Sequence, residues 1–214
     1  MIWLLALGIA FSLDRAVAEW VKQSVPIDKH NHLTKVIIEI VKLPGWGYFT
    51  LVVAILVGLF HRRHWHGAIG LTLSGVAVGA AYSLIKWTAG RHRPVIAITP
   101  FAFQPFPKGI AGLFREQALC FPSGHASLAF ATAASLAVLI PRWRWTFFTL
   151  ALVVGAERVL ENAHYVSDVV AGAGMGTLLG WLVTRTVLAF DRSNRDSGPD
   201  RSESRLYRSG STAR

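Results

Sequence analysis

Apolar residues run along this chain in long unbroken stretches, and charge is pushed into the short segments between them. Residues 44–60 (PGWGYFTLVVAILVGLF), 67–85 (GAIGLTLSGVAVGAAYSLI) and 169–190 (VVAGAGMGTLLGWLVTRTVLAF) carry no polar stripe of helical period. Each approaches the roughly 20 apolar residues that cross a bilayer as a helix. The run 126–140 is shorter and passes through Pro141 and the basic turn RWRW into 145–157, which predicts a helical hairpin. Residues 2–13 are apolar but short, and Asp14, Arg15 and Glu19 put charge directly after them. They predict a first membrane helix, short or partly interfacial, leading into a surface-lying helical segment near 14–43 that holds Lys22, Lys29, Lys35 and Lys42. A signal peptide cleaved near Ala16-Val17-Ala18 is the alternative, although no basic residue precedes the apolar run. The pattern as a whole predicts an all-α, polytopic membrane helical bundle of about six membrane helices. Its parts are an N-terminal region at 1–43, a membrane core at 44–190 and a disordered cytoplasmic tail at 191–214, where the chain turns polar with little to bury.

Composition agrees, with 52% hydrophobic residues and only 16% charged ones in 214. Frequent Gly and Ala suit close helix packing in lipid. The net charge of +10 would suit nucleic acid, but the basic residues are scattered between apolar spans, so it is read as a membrane orientation signal and no nucleic-acid partner is expected. A single cysteine, Cys120, excludes an intramolecular disulfide. In the turn HRRHWH (61–66) three histidines have neither carboxylate nor cysteine beside them in sequence, so a basic cytoplasmic turn is the better reading than a metal site.

Three charged clusters stand at the ends of different spans. Lys86, Arg91 and Arg93 crowd the end of 67–85, with Pro94 to stop any helix. Alone, they read as snorkelling cations at an interface. Pro122-Ser123-Gly124-His125 opens the next helix, where Ser123 can cap and Gly124 allows an anion to approach backbone amides. Between these two clusters, 95–121 is rich in Pro and Phe, an interfacial loop or a hydrophobic gate. Arg158, His164 and Asp168 join the last two spans. Ionisable groups at a membrane edge are costly to desolvate and mark function. Counting crossings puts all three clusters on one side and HRRHWH, PRWRW and the tail on the other, whose arginines mark it as cytoplasmic.

Lys86, Arg93 and Arg158, with helix N-terminal amides at Ser123 and Gly124, suit a dense anion such as phosphate. Asp168 can orient His164 as nucleophile, and His125 can act as acid. No Asp/Glu cluster suggests a two-metal mechanism, so neither metal nor cofactor is expected.

In order, K-x6-R-P (Lys86, Arg93, Pro94), P-S-G-H (Pro122 to His125) and R-x5-H-x3-D (Arg158, His164, Asp168) resemble the three signatures of the type 2 phosphatidic acid phosphatase superfamily. The resemblance covers about residues 45–188. It implies the helical bundle of lipid phosphate phosphatases, a phosphohistidine at His164, and phosphate binding through Lys86, Arg93, Ser123, Gly124 and Arg158. The expected partner is a lipid phosphate: undecaprenyl diphosphate, phosphatidylglycerophosphate, phosphatidic acid or lipid A. On family grounds the isoprenoid diphosphate stands slightly ahead of the glycerophospholipid. The expected location is a bacterial inner membrane, with the active site on the periplasmic or outer face. Two positions depart from the family pattern. Glu157 stands where a small residue, commonly Ser, precedes the arginine, and Val166 replaces a proline. Vanadate-dependent halide oxidation and non-catalytic binding or transport of lipid phosphate are the competing readings.

Overall fold

The computed structural model describes residues 2–25, 31–60, 65–96, 98–107, 109 and 119–196. They form seven α-helices: α1 (Ile2–Ser24), α2 (His32–Lys42), α3 (Gly47–Phe60), α4 (Trp65–Ala89), α5 (Gly124–Leu139), α6 (Arg144–Leu160) and α7 (Val166–Asp196). Short 3-10 turns at Leu43–Gly45 and Pro141–Trp143 precede α3 and α6. Among the described residues there is no β-strand, only isolated bridges from Arg91 to Phe103 and from His92 to Leu119. The chain is an all-α, polytopic membrane bundle. By length and hydropathy, α4 and α7 can each cross a bilayer, and α2 with α3 makes a third candidate span bent by 61°. Apolar side chains such as Leu51, Ile55 and Leu59 on α3 and Leu178 and Leu182 on α7 face outward, as lipid contact demands.

Three details differ from the expected pattern. As secondary structure the first helix is not broken by its charges, since α1 runs through Ser24, although it is not among the helices long and apolar enough to cross a bilayer. Arg15 pairs with Glu19 one turn on, and Asp14 turns inward to a buried partner. The surface segment imagined at 14–43 is therefore the end of α1 followed by α2. Within it Lys42 is buried rather than at the surface. Third, α7 continues to Asp196, beyond position 190, since Asp191 pairs with His66 of α4 at 3.2 Å. That contact also brings a carboxylate to the HRRHWH turn. Positions 61–64 of the turn and 197–214 of the tail lie outside the described residues.

The centre of the bundle is α5, most of whose residues are buried. Its packing on α7 is set by glycine. A Cβ at Gly172 would lie 2.7 Å from Ser123 O, one at Gly176 2.1 Å from Ser127 O, and one at Gly180 2.4 Å from Ala131 O. These three glycines, one turn apart, let the two backbones touch, the small-residue packing that holds helices together without a hydrophobic driving force. Polar side chains then join helix to helix: Thr50 to Thr132 at 2.8 Å, Ser74 to Ser135 at 3.0 Å, and Thr184 to Ser135 at 2.9 Å. Apolar packing fills the rest, with Ala129, Phe130 and Ala133 of α5 against Ala151 and Val154 of α6. Because α5 and α7 start at the same end of the bundle, this seam fixes Ser123–His125 against Asp168.

Candidate active site

Gly90 ends α4. It sits in the left-handed region at φ +62°, and a Cβ there would meet Gln104 O at 1.7 Å. The helix thus stops four residues before Pro94, the expected breaker, and the chain reverses with Lys86 on the last turn and Arg93 beyond it. Lys86 is buried, its Nζ 5.1 Å from the centre of the Tyr82 ring.

The second cluster opens α5. Ser123 is fully buried and caps the helix, its Oγ accepting from Ala126 N at 3.4 Å. Its own amide donates to Asp168 O at 3.0 Å, so this N–H is engaged by α7, contrary to its expected place among amides facing an anion. Gly124 has a packing reason as well as a ligand one, since a Cβ there would lie 3.2 Å from the Tyr82 ring. His125 is set from behind by the 3-10 turn: a Cβ at Gly45 would be 2.8 Å from His125 Cβ, and Trp46 meets its ring edge-on at 5.0 Å.

The third cluster spans the α6–α7 turn. The carbonyl of Arg158 accepts from both Ala163 N and His164 N, each at 3.2 Å, which folds the turn back under the arginine. Asp168 Oδ2 accepts from Tyr165 N at 2.9 Å, a side chain in the first turn of α7 reaching back to cap it. The helix begins at Val166, after His164, yet the histidine stays beside the carboxylate. His164 Nδ1 lies 3.5 Å from Asp168 Oδ2, longer than a well-formed hydrogen bond. Burial holds the His164 ring down at about 4, against the upward pull of Asp168.

All the expected site residues therefore gather at one end of the bundle. Arg93 Nε, His125 Nε2 and His164 Nδ1 are buried with no hydrogen-bond partner. His125 lies within electrostatic reach of Arg158, His164, Lys42 and Lys86, and His164 of Arg93 and Lys86. His164 Nδ1 faces Asp168, whereas Arg93 Nε and His125 Nε2, left open among cations, suit an anion. Among the described residues no group of three or more His, Cys, Asp or Glu has metal-binding geometry.

Glu157, which departs from the family pattern, pairs with its neighbouring arginine: Arg158 Nε donates to Oε2 and Nη2 to Oε1 at 2.6 Å each. Several other neighbours were not expected. Glu161 also holds Arg158. Lys42, at the end of α2, reaches Glu161 Oε2 at 3.4 Å. Asp14 and Arg91 lie beneath Asp168. Asp14 carried a sequence signal as a carboxylate inside an apolar helix, and Arg91 as a cation in the cluster at the end of α4. The Phe-rich loop divides. Phe101 is 68% exposed, whereas Phe103 covers the Arg91 guanidinium at 5.3 Å.

An all-helical membrane bundle closing three cationic and histidine-bearing clusters over an anion seat defines the class. The PAP2 superfamily model matches residues 67–192, and the chain belongs to that family. It is 37% identical over 130 residues to the lipid A 1-phosphatase of Rhizobium etli, covering 60% of this chain and 52% of the relative. The chain thus spans about half the length of that relative. Phosphatidylglycerophosphatase B of Bacillus subtilis is 25% identical over 194 residues, covering 84% of this chain and 88% of the other. Among solved structures, the transmembrane PAP2-type phosphatidylglycerolphosphate phosphatase of Bacillus subtilis superposes with a TM-score of 0.59 at 21% identity, over 89% of this chain and 94% of that one. That likeness bears on the fold.

Proposed function

We propose that this protein is a metal-independent lipid phosphate phosphatase working through a phosphohistidine. The observation that carries the reading is the pair of buried, unpartnered nitrogens on Arg93 and His125 beside Lys86 and Arg158, with His164 backed through Nδ1 by Asp168. Phosphoryl transfer needs a nucleophile in line with the leaving oxygen and cations on the other oxygens. Nε2 of His164 attacks phosphorus, the bond from phosphorus to the lipid oxygen breaks, and that oxygen takes a proton from His125. His125 then removes a proton from the water that attacks the phosphohistidine, releasing inorganic phosphate. Lys86, Arg93 and Arg158 carry the transition-state charge, helped by the N-terminus of α5 at Gly124, which Ser123 caps. A protein that only bound phosphate would need the cations but not two histidines and an oriented carboxylate.

The likeness to the Rhizobium enzyme moves the choice of lipid toward a lipid A-type phosphate, ahead of the isoprenoid diphosphate and the glycerophospholipids. The active end faces outward from a bacterial inner membrane. The test is release of inorganic phosphate by the purified full-length chain from lipid A, undecaprenyl diphosphate, phosphatidylglycerophosphate and phosphatidic acid in mixed micelles. Release from lipid A at the highest kcat/KM is expected. No release from any of the four would remove the reading.

A further inference from the structure

Arg91 takes no part in that chemistry, yet it is the largest fully buried side chain among the described residues. Its two ends hold two carboxylates: Nη1 is 2.5 Å from Asp168 Oδ1, and Nη2 is 2.6 Å from Asp14 Oδ2. Ser167 closes the cluster. Its Oγ accepts from Arg91 Nη1 at 2.7 Å and donates to Asp14 Oδ2 at 2.5 Å, while its amide donates to Asp14 Oδ1 at 2.9 Å. The rings of Tyr165, Phe11, Phe103 and Phe121 surround the guanidinium at 4.2, 5.2, 5.3 and 5.9 Å. Asp14, Arg91, Ser167 and Asp168 are all 0% exposed.

Burying three charges in this way is costly unless the arrangement does something an apolar core cannot. The charge count shows what. Arg91 paired with Asp168 alone would form a neutral couple, leaving little negative charge toward His164. Asp14 takes the other half of the guanidinium, so the cluster keeps one net negative charge, and Asp168 Oδ2 is the carboxylate oxygen nearest His164 Nδ1. Attack through Nε2 leaves the phosphorylated ring protonated at Nδ1 and cationic. That is the charge the cluster is built to face.

We propose that Asp14 and Arg91 are positioning residues for the nucleophile: Arg91 fixes the orientation of Asp168, and Asp14 keeps Arg91 from neutralising it. The proposal rests on His164 as the nucleophile. It makes α1, which lies outside the segment 67–192 matched by the family, a working part of the site rather than only an anchor.

The test measures kcat per active site in the detergent-purified full chain, with phosphatidic acid in mixed micelles as the probe and sites counted by vanadate titration. Asp14→Asn keeps the shape and removes the charge. Its kcat per site should fall about tenfold or more, the scale on which outer partners of a reactive histidine act, with KM little changed. In an Asp168→Asn background the same change should have no further effect, because the route from Asp14 to His164 is already broken. A purely structural role lowers the number of sites and multiplies with the Asp168 effect. Arg91→Lys supplies a second reading, since an ammonium keeps the charge but cannot bridge two carboxylates as a fork. It too should lose rate per site. Unchanged rates per site, or losses that multiply, overturn the proposal. Base-stable label from 32P-phosphatidic acid on a residue other than His164 in the wild-type chain removes the nucleophile assignment itself, and the proposal with it.

Discussion

Glu157 and Arg158 are neighbours in sequence and a bidentate pair in space, with both arms of the carboxylate on the guanidinium at 2.6 Å. Most of the pair is buried, at 12% and 5% side-chain exposure. In the proposed reaction Arg158 is one of three cations that receive phosphate, and the carboxylate then competes with a phosphate oxygen for it.

Binding therefore exchanges one anion for another. Glu157→Gln weakens the internal partner while preserving its shape. A hydrogen bond to a charged group contributes about 1.5–3 kcal/mol, and about 1.4 kcal/mol is tenfold in affinity. Vanadate, as a mimic of the transition state, should bind about tenfold more tightly to this variant. Weaker binding would mean that Glu157 orients Arg158 instead of competing for it.

Much of the site was legible in the sequence because its chemistry is local. Arg158 lies in the last turn of α6, His164 in the short connection and Asp168 in the first turn of α7, and Ser123–His125 open α5. Asp14, Lys42 and Arg91 were not legible as site residues, each for its own reason. Asp14 reaches its partner across 77 positions, and its charge reads as an interruption of a helix until that partner is seen. Lys42 looks like its exposed neighbours on α2, and only the bend between α2 and α3 turns it inward. Arg91 sits between two expected cations, and the partners that distinguish it, Asp14 and Asp168, are both 77 positions away. The helical spans were legible from run length, but the end of α1 was not, since a buried charge that finds a partner costs less than a lone one and its partner lies far off in sequence.

The α5–α7 seam predicts how the site fails. At Gly176 a Cβ would sit 2.1 Å from the Ser127 carbonyl, so Gly176→Ala must push the helices apart. Overpacking of this kind costs about 1–3 kcal/mol, which for a chain of this size lowers the midpoint of thermal unfolding by roughly 2–4 °C per kcal/mol. Activity should fall further than stability, because the seam sets Ser123 and His125 against Asp168. Gly8→Ala, with nothing within 4 Å, is the control and should change neither. Equal effects of the two substitutions in a thermal melt and phosphate-release assay would show that the seam is not under strain.

In the proposed reaction His164 must be neutral to attack, and burial holds its ring down at about 4. An unperturbed imidazole changes charge near 6.5. The sign is direct: lowering the value keeps the reactive form dominant through the whole neutral range. The Cε1–H resonance of His164, assigned by its loss in His164→Gln, should stay still between about pH 5 and 8. Movement centred near 6.5 contradicts the geometry. In the same preparation, excess chelator should leave phosphate release unchanged, since Lys86, Arg93 and Arg158 already neutralise the substrate, and His164→Ala should abolish it.

Orientation is the final prediction, and it turns on which cations count. Topology is set by basic residues in short exposed loops. Lys86, Arg91 and Arg158 at the site end are 6%, 0% and 4% exposed, facing the protein and its carboxylates rather than the bilayer surface. At the other end Arg142 and Arg144 are exposed, and Arg185 and Arg192 line the same cavity on α7. Counting only loop charges, the end with Arg142 and Arg144 stays in the cytoplasm and the site faces out. Single cysteines at Phe101, which is 68% exposed beside the site, and at Arg144, in a Cys120→Ser background, separate the two ends. An impermeant maleimide added to intact bacteria expressing the chain should label Phe101→Cys at once, and Arg144→Cys only after permeabilisation. The reverse pattern would place the site inside, and with it the lipid phosphate of the inner leaflet as substrate.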